Sequence, residues 1–284
     1  MKRILTILAC SLLALPVATH AAGSKITVKG SDTLVILAQK WAETYMSKHP
    51  NAKIQVTGGG SGIGLAALQN NSTDIANASR KIRAAEIAEC IKTFGKRPTE
   101  YKVALDGLSV YVHADNPVKE LTLEQLMLIF TGKVKNWKEV GGPDARITVY
   151  SRENSSGTYE FFKEHVLEGR DFVSSAQTMP GTAAVLQAVA KDKGGIGYGG
   201  AAYGAGAKHL AIKKTDSSPA IEPTEETVLK GTYPIWRYLF VYINPAIDKG
   251  EIASYLTWIR SDEGQNLVKD VGYFPLPAHL RHKP

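Results

Sequence analysis

The sequence predicts an α/β fold, because strand-like and helix-like segments alternate along it. Short β-branched runs precede stretches whose apolar residues recur at helical spacing, as in residues 26–45. Loops rich in glycine and hydroxyl residues separate the two kinds of segment. Two longer extended runs, residues 103–113 and 233–243, could cross between two lobes. Alternating strands and helices indicate βα units built on a largely parallel sheet.

Each element follows from its own pattern. Thr122 and Gln125 have the spacing of a capping box, which predicts the start of a helix. Gly194 and Gly195 predict the end of a later helix, after which a strand resumes. The expected order is a strand at 26–28, a helix at 34–45, a strand at 54–56, a helix from 65, a strand at 74–78, the extended run at 103–113, a helix at 121–130, a strand at 147–150, a helix around 161–166, a helix at 183–190, a strand at 196–198, the second extended run at 233–243 and a closing helix at 251–268.

The amino-terminal residues indicate export. Lys2 and Arg3 precede a short apolar stretch that ends in small residues around Ala21, which is the pattern of a secretory signal peptide. We therefore expect residues 1–21 to be cleaved. A transmembrane anchor would need about 20 uninterrupted apolar residues, and this stretch is shorter. Lipoprotein anchoring through Cys10 is a minor alternative, because the leader ahead of that cysteine is so short.

The composition is that of a globular protein, with 44% hydrophobic and 21% charged residues. Loss of Lys2 and Arg3 with the leader lowers the net charge from +7 to +5, and no basic block suggests nucleic-acid binding. Removal of Cys10 leaves Cys90 alone in the mature chain, so an intramolecular disulfide is excluded. The stability of the fold must therefore come from its hydrophobic core.

Three strand-to-helix loops share one chemical character. They are residues 30–33 (GSDT), 58–62 (GGGSG) and 152–158 (RENSSGT). Each places hydroxyl groups and backbone N–H donors at a helix N-terminus, where unpaired amides and the helix dipole favour an anion. In a single loop, the Ser and Thr residues would more simply be helix caps. Because such loops converge at the carboxyl ends of parallel strands, the three together predict an anion site in a crevice.

The motifs of several other functions are missing from the sequence. The glycine-rich stretch at 58–64 has neither the lysine of a P-loop nor the spacing of a dinucleotide fingerprint. The histidines show no HExxH or closely paired spacing, so no metal site is predicted. The GxSxG elbow of a hydrolase is also missing. We therefore expect neither a cofactor nor a metal.

The chain resembles a known family over nearly its whole mature length, from about residue 26 to residue 277. The segments that carry the likeness are KGSDTL, VTGGGSGIGLAAL, STDIANASR, IFTGKVKNWKEVGG, SRENSSGTYEFF, GGIGYGG and GYFPLP, in the order that the family has them. They are similar to those of the periplasmic phosphate-binding proteins that serve ABC-type phosphate importers, which are type II periplasmic solute-binding proteins. The segments are specific jointly and weak singly.

The resemblance implies a two-lobed periplasmic-binding-protein fold, each lobe a sheet flanked by helices, joined by two crossing strands. Lobe I would comprise residues 25–105 and 239–284, and lobe II residues 106–238. Inorganic phosphate would be clamped between the lobes of a periplasmic monomer and delivered to the transmembrane subunits of a permease, without catalysis. By position, the resemblance implies phosphate contacts from Ser31, Thr33, the amide of Leu34, Ser61, Asp74, Arg152, Ser156, Gly157 and Thr158.

Three charged residues decide how specific that site would be. The resemblance makes Asp74 the acceptor of a phosphate proton, so sulfate, which lacks that proton, should be rejected. Alternatively, Asp74 only begins a turn. Asp32 puts an acid inside the first anion loop, so it must point away from the ligand or weaken binding. Arg80 stands where some members of the family carry an acid, and it could pair with Asp74 or reach the ligand.

Two other functions stay open at the level of sequence. A secreted phosphatase could use the same pocket on phosphate esters, although the hydroxyl residues have no histidine partner near in sequence. A receptor for sulfate, molybdate or a phosphonate is the other alternative, because a helix N-terminus binds any compact anion.

Overall fold

The computed structural model describes residues 25–204 and 207–281. The predicted signal peptide, including Cys10, lies outside these residues. Within the described ranges, no helix is long and apolar enough to cross a membrane.

Strands and helices alternate through most of the described chain, as the sequence predicts. The strands are β1 Lys25–Gly30, β2 Lys53–Thr57, β3 Ile75–Ala78, β4 Thr99–Val112, β5 Glu120–Thr122, β6 Thr148–Arg152, β7 Gln177–Met179, β8 Gly195–Gly200, β9 Lys208–His209, β10 Ala211–Lys213 and β11 Trp236–Ile243. The helices are α1 Val35–Lys48, α2 Ser61–Gln69, α3 Ala84–Phe94, α4 Leu123–Phe130, α5 Gly157–His165, α6 Thr182–Lys191, α7 Glu225–Leu229, α8 Gly250–Ile259 and α9 Asp262–Val271.

Most of the strands form one long sheet that runs through both lobes. Its order is β2-β1-β3-β11-β4-β8-β6-β7, with β9 paired to β4, while β10 and β5 form a small separate sheet. Strand β4 takes part in both lobes, because residues 99–107 pair with β11 and residues 108–112 pair with β8. Strand β11 lies between β3 and β4. The two extended runs predicted from the sequence are therefore neighbouring, antiparallel crossing strands.

Hydrophobic clusters cover both faces of the sheet. Along β11, Leu239, Val241 and Ile243 belong to one cluster, packed under α1, α8 and α9, while Phe240 and Tyr242 belong to another, packed under α2 and α3. The half of the sheet that contains β6 and β8 has its own pair of clusters. Each half is thus a sheet flanked by helices, which is the predicted two-lobed α/β architecture.

Cys90 lies in the cluster under α2 and α3 and is a buried, free thiol. Burial, with a smaller effect from the charge of Glu86, raises its pKa to about 11. The thiol is therefore protonated at neutral pH and packs as a small apolar side chain.

The capping box predicted at the start of α4 is confirmed. The hydroxyl of Thr122 accepts from the amide of Gln125 at 3.1 Å, and the amide of Thr122 donates to Oε1 of Gln125 at 2.9 Å. The single closing helix predicted at 251–268 is wrong, because it is two helices, α8 and α9. The helical conformation is interrupted between them, and Ser261 is the N-cap of α9. Its hydroxyl accepts from the amide of Gly264.

We predict that Gly64→Ala destabilises the fold, because α2 lies almost directly on β1. A Cβ at this position would lie 2.5 Å from the Cα of Gly30 and 2.5 Å from the carbonyl oxygen of Lys29. Overpacking of this kind should lower the free energy of unfolding by about 1–3 kcal/mol, measured by chemical denaturation. The control is Gly95→Asn. Gly95 has a left-handed backbone conformation, which asparagine tolerates, and a Cβ added there would have no described neighbour within 4 Å. A Gly64→Ala variant as stable as this control would contradict the packing described here.

Candidate anion-binding site

Three loops meet at the ends of strands β1, β2 and β6. The amide of Gly60 donates to the carbonyl of Gly30 at 3.0 Å, which joins the first loop to the second within one lobe. The amide of Gly62 donates to the carbonyl of Ser155 at 2.9 Å, which joins the second loop to the third across the lobes. Helices α1, α2 and α5 begin here, so the positive ends of three helix dipoles lie close together.

Four buried hydroxyl residues from both lobes form a hydroxyl cluster, Thr33, Ser61, Ser79 and Thr158. The hydroxyl oxygens of Thr33 and Thr158 are 2.8 Å apart, and Ser79 lies 3.3 Å from Ser61 and 3.4 Å from Thr158. Gly157 allows this approach, because a Cβ there would lie 2.3 Å from the hydroxyl oxygen of Ser61. The structure thus brings together predicted residues of all three loops.

Simple helix capping does not explain the hydroxyl residues of the first two loops. The residues that precede α1 and α2 are Leu34 and Gly60, and neither helix has a side-chain cap. In the third loop the cap is Ser156, whose oxygen accepts from the amides of Thr158 at 3.2 Å and Tyr159 at 3.3 Å. Thr33, Ser61 and Thr158 are therefore buried for another reason. The amide of Leu34 donates to the carbonyl of Ser31 at 3.0 Å, a turn hydrogen bond that competes with the predicted ligand contact.

Several hydroxyl oxygens of the site already accept an N–H. Ser61 accepts from the amide of Ser79 at 3.0 Å, and Thr158 accepts from Nη2 of Arg237 at 3.0 Å. Ser156 accepts from the two amides of its helix. A hydroxyl that accepts from an N–H retains its own proton for donation. The site is therefore rich in donors, which is the property that an anion requires.

Two further donors at the site are buried and have no hydrogen-bond partner within residues 25–204 and 207–281. They are the hydroxyl of Ser31 and the Nε of Arg152, whose side chain is 1% exposed. The other nitrogens of Arg152 donate to the hydroxyl of Thr182 at 2.9 Å and to Asp32 at 2.8 Å. Burial lowers the pKa of Arg152, and the carboxylate of Asp32 opposes that effect. Because an unmet buried donor costs about 1–3 kcal/mol, these two atoms indicate a ligand that accepts hydrogen bonds.

Asp32 ties the loops together. Its Oδ1 accepts from the amide of Gly59 at 2.7 Å, and its Oδ2 accepts from Arg152 of the other lobe. Its main-chain carbonyl accepts from the hydroxyl of Tyr203 at 2.6 Å. The carboxylate thus neutralises the charge of Arg152.

Asp74 does not reach the site. It precedes β3, whereas Ser79 follows β3, and the strand separates them by roughly 16 Å at about 3.3 Å per residue. The carboxylate of Asp74 accepts from the amide of Thr27 at 2.7 Å and from its hydroxyl at 2.8 Å. The predicted ligand contact is therefore not supported, because Asp74 lies at the amino end of a parallel strand and the loops lie at the carboxyl ends.

Arg80 takes part in an ionic group and does not pair with Asp74. Its Nη1 and Nη2 donate to the carboxylate of Glu86 at 2.8 and 2.7 Å. Its Nε lies against Glu160 of α5, which Arg83 also contacts. This group joins α3 and the loop before it to the other lobe, beside the hydroxyl cluster. Glu86 and Glu160, and not Asp74, are thus the carboxylate partners of Arg80, and a contact of Arg80 with the ligand stays a prediction.

Sequence reasoning missed Ser79, Asp106 and Arg237. Arg237 of β11 lies opposite Asp106 of β4, and its Nε and Nη2 donate to Oδ2 of Asp106 at 3.0 and 2.8 Å. For Asp106 and Arg237 the sequence did contain a usable signal. Asp106 is the single charged residue in the run VALDGLSVYV, and Arg237 is the single charged residue in the run YPIWRYLFVYI. A lone acid and a lone base in two segments expected to cross side by side should pair.

Comparison with known proteins agrees with this fold. The model of the PBP superfamily domain matches residues 16–263. The phosphate-binding protein PstS of Pseudomonas aeruginosa is 37% identical over 95% of this chain and 89% of its own length. PstS of Bacillus subtilis is 34% identical over 90% of this chain and 82% of its own. A solved structure of a Clostridium perfringens protein with bound phosphate has a TM-score of 0.81 at 29% identity, covering 89% of this chain and 100% of that one. An ABC-type phosphate transport receptor from Vibrio cholerae has a TM-score of 0.71 at 27% identity with the same coverage.

The two glutamates of the Arg80 group should respond to pH in opposite ways. Burial acts to raise the pKa of Glu86, but hydrogen bonds from Arg80 and from the amide of Arg83 lower it overall. Burial raises the pKa of Glu160 more than Arg80 and Arg83 lower it, and its Oε2 has no partner in hydrogen-bond geometry although both guanidinium groups are adjacent. Ionisation of Glu86 therefore favours folding, and ionisation of Glu160 opposes it.

We predict that Glu86→Gln lowers the free energy of unfolding by about 1–3 kcal/mol at pH 7, since it weakens hydrogen bonds to a charged group. This loss should begin to shrink as the pH falls to the usual glutamate range, near 4, where the carboxyl protonates in the unfolded chain, and it should keep shrinking until the carboxyl of the folded protein protonates at its lower pKa. Glu160→Gln is the matched control and should cost less at pH 7. Chemical denaturation at pH 7 and pH 4 measures both variants, and a larger loss for Glu160→Gln would contradict this assignment.

Proposed function

Because this chain belongs to the PBP superfamily and to the phosphate-binding proteins (PstS) within it, we propose that it is an exported receptor for inorganic phosphate. Phosphate binds between the two lobes, and the loaded receptor delivers it to the transmembrane subunits of an ABC-type permease. The receptor works in the periplasm as a monomer, without a cofactor, and it catalyses no reaction.

The observation that carries this proposal is the donor character of the site. Ser61, Ser156 and Thr158 each accept an N–H and retain a proton to donate. Ser31 and the Nε of Arg152 add buried donors that have no hydrogen-bond partner among the residues that the structure describes. A compact oxyanion offers acceptors in several directions at once, so it satisfies donors that converge from two lobes.

The site has little net charge of its own. Arg152 is matched by Asp32, and Arg237 is matched by Asp106. The charge of the ligand is therefore stabilised by directed hydrogen bonds and by the ends of three helices, without a surplus of cationic side chains. Binding then depends on how well the oxygens of the anion match the donors.

We assign the phosphate contacts to loop residues at the carboxyl ends of the strands and leave Asp74 out. Asp32 takes over the role of proton acceptor, because each of its oxygens accepts one N–H and a carboxylate oxygen has a second lone pair. Phosphate near neutral pH can offer a proton to that lone pair, whereas sulfate cannot. The assigned residues are Ser31, Thr33, Ser61, Arg152, Ser156, Gly157 and Thr158, with Asp32 beside them.

We propose the lobe boundaries at residues 25–105 with 239–284 and at 106–238. Two features support them. Strand β4 changes its partner from β11 to β8 between Gly107 and Leu108, and β11 begins at Trp236. A hinge at these two strands would let the lobes close on the ligand.

We predict that the mature protein, stripped of ligand, binds phosphate one-to-one and gives no heat with sulfate in calorimetric titration at neutral pH. Thr158→Val removes a hydroxyl at nearly constant shape and should raise the Kd for phosphate about tenfold or more. Asp74→Asn is the control and should leave the phosphate affinity unchanged, because Asp74 lies at the other end of β3.

Tight binding of sulfate would contradict the selectivity assigned to Asp32. A large loss of phosphate affinity in Asp74→Asn, with unchanged affinity in Thr158→Val, would overturn the site itself. A protein that binds neither anion would overturn the proposed function.

A further inference from the structure

We infer that Arg237 is a positioning residue of the anion site, which holds the hydroxyl of Thr158 in the direction that donates to the ligand. The inference rests on the proposed function and deepens it. It assigns a role at the site to a residue of a crossing strand, outside the three loops that bear the ligand contacts.

The side chain of Arg237 is almost fully committed to buried partners. Nε and Nη2 donate to Oδ2 of Asp106 at 3.0 and 2.8 Å, and both side chains are 2% exposed or less. Nη1 donates to the carbonyl of Ser79 at 3.0 Å, and Nη2 donates to the hydroxyl of Thr158 at 3.0 Å. The guanidinium also lies 5.2 Å from the centre of the ring of Phe161. These contacts fix its position in every direction.

Arg237, which lies on the crossing strand β11, contacts residues of the hydroxyl cluster from both lobes. Ser79 follows β3 of one lobe, and Thr158 lies in the first turn of α5 in the other lobe. Asp106 belongs to the second crossing strand. The complete set of contacts therefore requires that the two lobes and both crossing strands come together. Arg237 links the junction of the lobes directly to the atoms at which an anion would be bound.

The chemistry of the guanidinium determines which group donates in the hydrogen bond between Arg237 and Thr158. Arginine has N–H donors and no acceptor, so the hydroxyl of Thr158 must accept from Arg237. Its own proton is then free for another partner: Thr33 at 2.8 Å, Ser79 at 3.4 Å or a ligand oxygen. Without Arg237 the same hydroxyl could turn and act as an acceptor, which would present a lone pair to an anion. The arginine thus favours the orientation that binds.

A purely structural role is the alternative, since Arg237 also pairs with Asp106 between the strands. The two roles differ in one measurable respect. A positioning role acts through the hydroxyl of Thr158, so it disappears when that hydroxyl is absent. A structural role does not depend on that hydroxyl. A double-mutant cycle separates them.

The test is calorimetric titration of phosphate into the wild type, Arg237→Gln, Thr158→Val and the double variant. We expect Arg237→Gln alone to raise the Kd roughly 10- to 100-fold, the range for loss of a hydrogen bond from a charged group. In the Thr158→Val background the same change should raise the Kd by less than about threefold. An equal fold-change in both backgrounds, or an unchanged Kd in Arg237→Gln, would overturn the inference.

Two further variants guard against a folding artefact. Arg237→Gln leaves Asp106 buried without its partner, so the Arg237→Gln/Asp106→Asn variant removes both charges and should fold better while binding phosphate as poorly. Arg260→Gln changes another buried arginine and should leave the phosphate Kd unchanged. Its guanidinium lies 4.9 Å from the centre of the ring of Tyr101, in the hydrophobic cluster under α1, α8 and α9. Recovery of wild-type affinity in the charge-free variant would overturn the positioning role. A wild type that fails to bind phosphate would instead refute the proposed function.

Discussion

The buried ion pair between Asp106 and Arg237 fixes the register of the two strands on which both lobes depend. The two residues lie opposite each other in β4 and β11, and the side chains of Asp106 and Arg237 are 0% and 2% exposed. Such a pair adds little net stability, because the loss of hydration offsets the attraction between the charges. Any other register, however, would leave a charge buried and unpaired, at a cost of about 3–5 kcal/mol. The pair therefore sets where each lobe begins and how their loops face each other.

The loops are oriented by tyrosines as well as by glycines. The hydroxyl of Tyr273 donates to the carbonyl of Thr33 at 2.6 Å, and the hydroxyl of Tyr203 donates to the carbonyl of Asp32 at 2.6 Å. Burial, followed by the charge of Asp32, raises the pKa of Tyr203 to about 12, and burial raises that of Tyr273 further. Both phenols stay protonated at neutral pH and occupy the acceptors of the first loop. Its donors can then face the hydroxyl cluster.

Local patterns in the sequence predict most of the fold and the meeting of the three loops, since capping residues and helical periodicity act over a few residues. The capping box at Thr122 and the convergence of the three loops are examples. What local patterns could not show depended on contacts distant in sequence. Asp74 was placed by its motif, but only the direction of β3 shows that it lies at the far end of the strand. Ser79 and Arg237 belong to no local motif, because their role arises from a sheet order that brings together residues 158 apart in the chain.

The contacts between the lobes at the site are polar, and this determines how a ligand can act on them. The amide of Gly62 bonded to Ser155, and the pair of Asp32 with Arg152, each replace an interaction with water, so each adds only about 0.5–3 kcal/mol. At the contact of Glu160 with Arg80, burial opposes ionisation of the carboxylate and offsets part of the attraction. A ligand bonded to both lobes adds its contacts with the second lobe only when the lobes meet. It therefore shifts their equilibrium by the free energy of those contacts.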